Sequence, residues 1–208
     1  MKIVLLVEGW TEKEAVAAFL KRWLDSRLAR PVRITPVRFS GWRDLFDGMA
    51  KKARLYLDGP RSERPLGVVA LFDLYGPTIY PPNLDSAGQR YDWVVRHLEE
   101  LVDRPGFRAF AAVHEVEAWL LSQPELLPAP VRNGLSGRCE RPETVNFDEP
   151  PAKLLDRLYS THLHKGYKKR TYGRDLFGRL DPERARQRCP RLAALLDAML
   201  DIAQQTQP

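Results

Sequence analysis

The sequence predicts an α/β fold: a mainly parallel sheet with helices on both faces, followed by a C-terminal helical appendage. Three observations carry that prediction. Through residues 1–123, strand-like apolar runs alternate with segments of helical period, the pattern of a parallel sheet joined by crossover helices. One run, Val68-Val69-Ala70-Leu71-Phe72, is apolar without interruption, as a strand buried on both faces must be. Acidic residues follow three separate runs, at Glu8, at Asp73, and at Glu115 with Glu117, and in open α/β sheets ligands bind beyond the strand carboxyl ends.

The elements follow in order. Lys2 to Val7 is β-branched and apolar and ends at Glu8-Gly9, a buried strand closed by a turn. Thr11 with Glu14 reads as a capping box opening a helix whose apolar face is Ala15, Val16, Phe19, Leu20, Trp23 and Leu24. Arg33 to Phe39 alternates as a second strand, and Trp42 to Leu57 reads as a helix stopped by Asp58-Gly59-Pro60. Leu66 to Phe72 is the third strand, Asp85 to Val102 a helix, Phe107 to Val113 the fourth strand, and Glu115 to Leu121 opens another helix. From Pro124 to Pro151, prolines and glycines predict a long irregular connection. Ala152 to His162 is helical by period, Thr161 to Arg174 is strongly basic, and Pro182 to Gln205 reads as one amphipathic helix with a frayed end from Gln204 to Pro208. The expected organisation is a core at 1–123 and, at 124–208, an appendage packed on it.

Composition narrows the function classes. The chain has 208 residues, 44% hydrophobic and 29% charged, enough for a continuous core without staples. Two distant cysteines, Cys139 and Cys189, make neither a disulfide framework nor a zinc knuckle. The apolar start is cut at Glu8, too early for a secretory leader, and no run spans a bilayer, so a soluble cytoplasmic protein with no membrane contact is expected. The net charge of +6 permits attraction to nucleic acid without requiring it.

Four constellations carry chemistry. In Val7-Glu8-Gly9-Trp10-Thr11-Glu12, glycine allows a sharp turn and the glutamate projects near a helix N-terminus; an ordinary turn with a solvated glutamate fits the same residues. In Phe72-Asp73-Leu74-Tyr75-Gly76, an aspartate directly after a buried strand faces the crevice. His114-Glu115-Val116-Glu117 offers two carboxylates and an imidazole at a strand–helix junction; acids complementing a helix dipole explain one of the two glutamates equally well. His114, ending a buried strand, is expected to be structural. The fourth is basic: Lys153, then Lys165, Tyr167, Lys168, Lys169, Arg170 and Arg174. Cations interleaved with tyrosines suit a nucleic-acid backbone with bases nearby, and Lys153 and Lys168 are candidates to stabilise charge on a transferring phosphate. A solvated charged face accounts for the same run. Trp23, Trp42, Trp93 and Trp119 are expected in the core, and Trp10 outside it.

Val-Glu-Gly-x-Thr-Glu after an apolar strand resembles the first motif of Toprim domains. That resemblance implies a general acid/base or metal-ligand role for Glu8 and magnesium binding at Asp73. Toprim proteins usually carry Asp-x-Asp there, and Tyr75 replaces the second aspartate; Glu115 and Glu117 can supply what it removes. The ordered set Phe72-Asp73-Leu74-Tyr75-Gly76, His114 to Leu120, Pro142-Glu143-Thr144-Val145-Asn146, Pro150-Pro151-Ala152-Lys153, Tyr167-Lys168-Lys169 and Cys189-Pro190-Arg191 resembles a narrower group. This is an uncharacterised bacterial Toprim-like family, domain-of-unknown-function family 4276, related to nucleases of the overcoming-lysogenization-defect type. The resemblance implies a metal-dependent phosphoryl-transfer enzyme, a nuclease acting on DNA or RNA in phage defence, with an ATPase partner. A carboxylate site without a cysteine cluster favours Mg2+ or Mn2+ over zinc. The alternative is a catalytically silent nucleic-acid- or partner-binding module on the same scaffold. The oligomeric state is not legible.

Overall fold

The apolar runs become four strands, β1 (Lys2–Val7), β2 (Arg33–Arg38), β3 (Gly67–Asp73) and β4 (Phe107–Ala112). The computed structural model describes residues 1–144 and 149–205. The strands form one all-parallel sheet in the order β2-β1-β3-β4. β3 is buried at every position, and its place inside the sheet explains its unbroken apolar run. β2 carries Pro36, which has no amide to donate, and lies at the sheet edge.

Side-chain alternation along the strands sends residues to two layers. Val4, Leu6, Val68, Ala70 and Phe72 pack against α2 (Trp42–Leu57) and α3 (Ala87–Val102) through Leu45, Met49, Val94 and Leu98. Ile3, Leu5, Val7, Val69 and Leu71 face the opposite way, onto α1 (Ala17–Asp25). That second layer also holds residues from α4 (Glu117–Leu120), α5 (Ala129–Asn133), α6 (Pro151–Leu163), α7 (Arg174–Arg179), α8 (Pro182–Arg188) and α9 (Pro190–Gln204). Leu154, Leu155, Leu192 and Leu196 belong to the same apolar cluster as Ile3 and Leu5. The C-terminal half thus shares its core with one face of the sheet. Among the described residues, no helix is long and apolar enough to cross a membrane.

Several local expectations need correction. Thr11 is helical itself, with φ −61° and ψ −47°, and its side chain caps nothing. The helix already begins at Trp10, the Lys13 amide donates to the Gly9 carbonyl, and Glu12–Val16 forms a π-helical turn leading into α1. A capping box does exist, but at α3, where Ser86 and Gln89 satisfy each other's backbone amides. The segment from Pro124 is less irregular than expected, since α5 and 3-10 turns at Pro124–Leu126 and Pro142–Thr144 interrupt it. Proline stands at the first or second position of each of these pieces, where its missing amide is not needed. The terminal helix is two helices, α8 and α9, divided at Cys189-Pro190, because a proline inside a helix removes a hydrogen bond and clashes with the preceding turn. Val145 and Asn146 of the family-like pattern, and the last part of the expected frayed end, lie outside the described residues. Trp23 and Trp119 are buried, Trp42 and Trp93 are half-buried, and Trp10 is exposed.

A candidate metal centre at the strand carboxyl ends

Parallel strands place all their carboxyl ends on one side, so the residues that follow β1, β3 and β4 meet there. Glu8 follows β1, Asp73 ends β3, and Glu115 and Glu117 follow β4. The Asp73 amide donates to Glu8 Oε1 at 2.8 Å, tying the ends of β1 and β3 together. The Val116 amide donates to Asp73 Oδ1 at 3.0 Å, which ties β3 to the turn after β4. One carboxylate oxygen each from Asp73, Glu115 and Glu117 lies within 4.8 Å of the others. Glu8 thus joins the group through Asp73 rather than as a member of that closest trio.

The C-terminal half closes the site. Glu115 Oε2 accepts the Ala152 amide at 2.8 Å in the first turn of α6. Pro150 and Pro151 precede that amide, so Pro151 fills the first helical position and leaves Ala152 to be capped. Glu115 Oε1 accepts from Lys169 Nζ at 3.0 Å, and the same ammonium lies 3.3 Å from Glu117 Oε2. Lys169 begins a second π-helical turn, Lys169–Gly173. A Cβ at Gly173 would stand 3.1 Å from the Tyr167 hydroxyl, so a larger residue there makes that side chain give way, and 3.7 Å from Thr11 Cγ2. Gly173 of the second turn thus lies beside Thr11, just before the first, and the charge of Lys169 acts on Glu12; π-turns often mark functional sites.

Glu117 has no exposed surface and neither of its oxygens has a hydrogen-bond partner. Burial pushes its pKa up to about 7, with the charges of Glu115 and Glu12 adding and that of Lys169 opposing. Glu8 is pushed up to about 7 by burial and by Glu12, against the stabilising Asp73 amide. Asp73 is held well above the usual carboxylate range by burial and then by Glu8 and Glu12. Burial lowers the Lys169 pKa, but Glu117, Asp73 and Glu115 together outweigh it and hold the ammonium charged. One ammonium thus faces Glu8, Glu12, Asp73, Glu115 and Glu117. A hard divalent cation satisfies such oxygen donors, and the buried Glu117 carboxylate, ion-paired with Lys169 but without a hydrogen bond, is the feature that fits one.

Glu12 was not among the acids read as site residues. It is buried, and its carboxylate lies over Gly9, where a Cβ would come within 2.3 Å of Glu12 Oε2. Its spacing of four from Glu8 was the available signal, since a helix beginning at the turn places both near one end. The other residues singled out from sequence are dispersed. Lys153 is exposed and reaches the Tyr75 hydroxyl at 3.0 Å. Lys168 is exposed, and its carbonyl accepts the Tyr172 amide; its neighbour Lys169 is the lysine at the carboxylates. Lys165 stands over the Tyr172 ring at 5.3 Å, Arg170 over the Trp10 ring at 5.2 Å, and Arg174 is exposed. Tyr167 is buried among Tyr159 and Tyr172 and presents no ring face to solvent. His114 is buried, and burial lowers its pKa, favouring neutral imidazole. A cavity of about 770 Å3 opens beside His114, between the start of α3 and the α8–α9 junction, and none of the site carboxylates lines it.

Fold and site together define an α/β protein with a buried carboxylate cluster beyond its parallel strands. The chain belongs to the family described as Domain of unknown function (DUF4276), which matches residues 7–200. Among solved structures it is similar to the C-terminal region of the Burkholderia pseudomallei OLD protein, at 18% identity over 96% of each chain and a TM-score of 0.51. At that identity the likeness establishes the fold. No curated protein sequence matches the chain.

Proposed function

We propose that this protein is a metal-dependent phosphoryl-transfer enzyme, a nuclease that hydrolyses phosphodiesters in nucleic acid. The observation that carries the reading is the buried Glu117 carboxylate without hydrogen bonds, its oxygens beside those of Asp73 and Glu115. Asp73, Glu115 and Glu117 would hold Mg2+ or Mn2+, which suit carboxylate donors better than thiolate sites do. When bound, the cation supplies Lewis acidity toward a phosphoryl oxygen and lowers the pKa of a coordinated water.

The chain's own residues supply the rest. Glu8, with a pKa near 7, is poised to exchange a proton at neutral pH. Lys169, charged and held at Glu115 and Glu117, pairs with charge developing on the phosphate. The exposed cations Lys153, Lys165, Lys168, Arg170 and Arg174 offer contacts to a phosphate backbone. The cytoplasmic setting, the ATPase partner and the role in phage defence belong to the same reading and rest on the family resemblance.

A silent binding module is favoured by two specific features. Tyr75 stands where a second aspartate would be, hydrogen-bonded to Lys153, and Lys169 already acts as an internal counterion for two carboxylates. Incubation with plasmid, single-stranded DNA and RNA in Mg2+ or Mn2+ separates the readings. Cleavage that stops with chelator and in Glu8→Ala and Asp73→Ala supports the nuclease. A protein that binds these substrates and never cleaves them is the silent module.

A further inference from the structure

Trp10 is 41% exposed, at the start of the helix between Glu8 and Glu12. Three cations surround its ring: Arg38 at 4.6 Å from the centroid, Lys13 at 4.9 Å and Arg170 at 5.2 Å. They come from three places, the end of β2, the first π-turn and the second π-turn. Among the described residues, none of the three pairs with a carboxylate within ion-pair distance. The indole quadrupole attracts each of them, and an anion placed among them would supply the acidic partner that none of them has among the described residues. The platform is joined covalently to the carboxylate site on both sides, because Trp10 is two residues from Glu8 and from Glu12, and Arg170 follows Lys169.

We propose that Trp10, ringed by Lys13, Arg38 and Arg170, is the strand-binding platform of this protein, taking single-stranded nucleic acid with an unpaired base on the indole and its phosphates on the cations. A base inside a duplex has both faces covered by its neighbours, whereas an exposed ring stacks on any base whose face is free. This deepens the reading of the carboxylate cluster as a phosphodiester site by naming the form of substrate that reaches it.

The test measures fluorescence anisotropy of labelled oligo-dT, oligo-U and a blunt DNA duplex of matched length, with full-length protein in chelator. Trp10→Ala should weaken binding of the single strands about tenfold or more and leave the duplex unchanged. Trp10→Phe should retain most of the affinity. Arg38→Gln and Arg170→Gln should each flatten the salt dependence by about one phosphate contact. An oligo-dU arm, which differs from oligo-U in the sugar alone, identifies the preferred sugar. Unchanged single-strand binding in Trp10→Ala, or an equal loss on the duplex, overturns the proposal. Because binding is read without metal, failure of the wild type to cleave sinks the nuclease reading and leaves the platform standing. Cleavage of single strands that is unaffected by Trp10→Ala does the reverse.

Discussion

Glu117 is the residue whose environment is least like water. A carboxyl whose folded pKa is about 7 against 4.5 when unperturbed binds its proton more tightly in the folded state. Its contribution to stability is therefore complete below about pH 4.5 and is lost as pH rises to about 7. Glu117→Gln mimics the protonated form. In chelator, wild type and variant should melt alike near pH 4.5, and the wild type should fall below the variant as pH approaches 7. Millimolar Mn2+ should restore the wild type and leave Glu117→Gln unmoved; parallel melting curves across that range would contradict the assignment. Lys169 gives a second prediction. Its partners Glu115 and Glu117 are buried, so removing it leaves uncompensated buried carboxylates, at a cost of about 3–5 kcal/mol near neutral pH. Lys169→Met should lose cleavage by about a hundredfold while keeping its thermal shift with Mn2+. Loss of the shift together with activity would make Lys169 a structural counterion instead.

At the scale of elements, the site depends on how closely two π-turns approach. Gly173 allows the second turn to lie against the Tyr167 hydroxyl and Thr11. That hydroxyl is buried without a hydrogen-bond partner, which costs about 1–3 kcal/mol. Tyr167→Phe should therefore raise thermal stability, by about 1 kcal/mol. Gly173→Ala should lower it by a similar amount, because the new methyl group meets that oxygen. The double variant should recover much of the loss, since the two positions share one contact. Additive effects in chemical denaturation would show that the contact is not what limits the turn. The caps act at the same scale. Glu143 accepts the Arg191 and Leu192 amides at the start of α9, and Glu115 caps α6, so short sequence patterns in the C-terminal half serve to dock helices.

For the whole molecule, the decisive fact is that one apolar cluster contains the sheet's Ile3, Leu5 and Leu71 and the appendage's Leu155, Leu192 and Leu196. A fragment ending at residue 123 would expose that face of the sheet. It should be unfolded or aggregated, whereas the full chain should melt in one transition. Leu196→Ala, deep in the shared core, should cost about 2–5 kcal/mol and lower the temperature of that single transition. A soluble, cooperatively folded 1–123 fragment would mean that the sheet carries its own complete core.

Local information determined much of this. Strands β1, β3 and β4 are apolar runs with polar residues at their ends, and period alone locates α1, α2, α3 and α6, because each signal lies within a few consecutive residues. The parallel order then puts Glu8, Asp73, Glu115 and Glu117 on one side, so most of the candidate site was legible as strand ends. Where α1 begins was not legible: Thr11 has the chemistry of a cap, and only the turn at Gly9 and the burial of Glu12 start the helix earlier. Nor was the choice between Lys168 and Lys169. The two are adjacent and chemically identical, and the one at the carboxylates is picked by a contact spanning 54 residues. The ring of cations about Trp10 likewise joins β2 to a turn far along the chain. Pattern and propensity act over one turn or one strand, while charges converge on a site only after the sheet and the C-terminal helices have packed; that packing is what the tertiary structure alone decided.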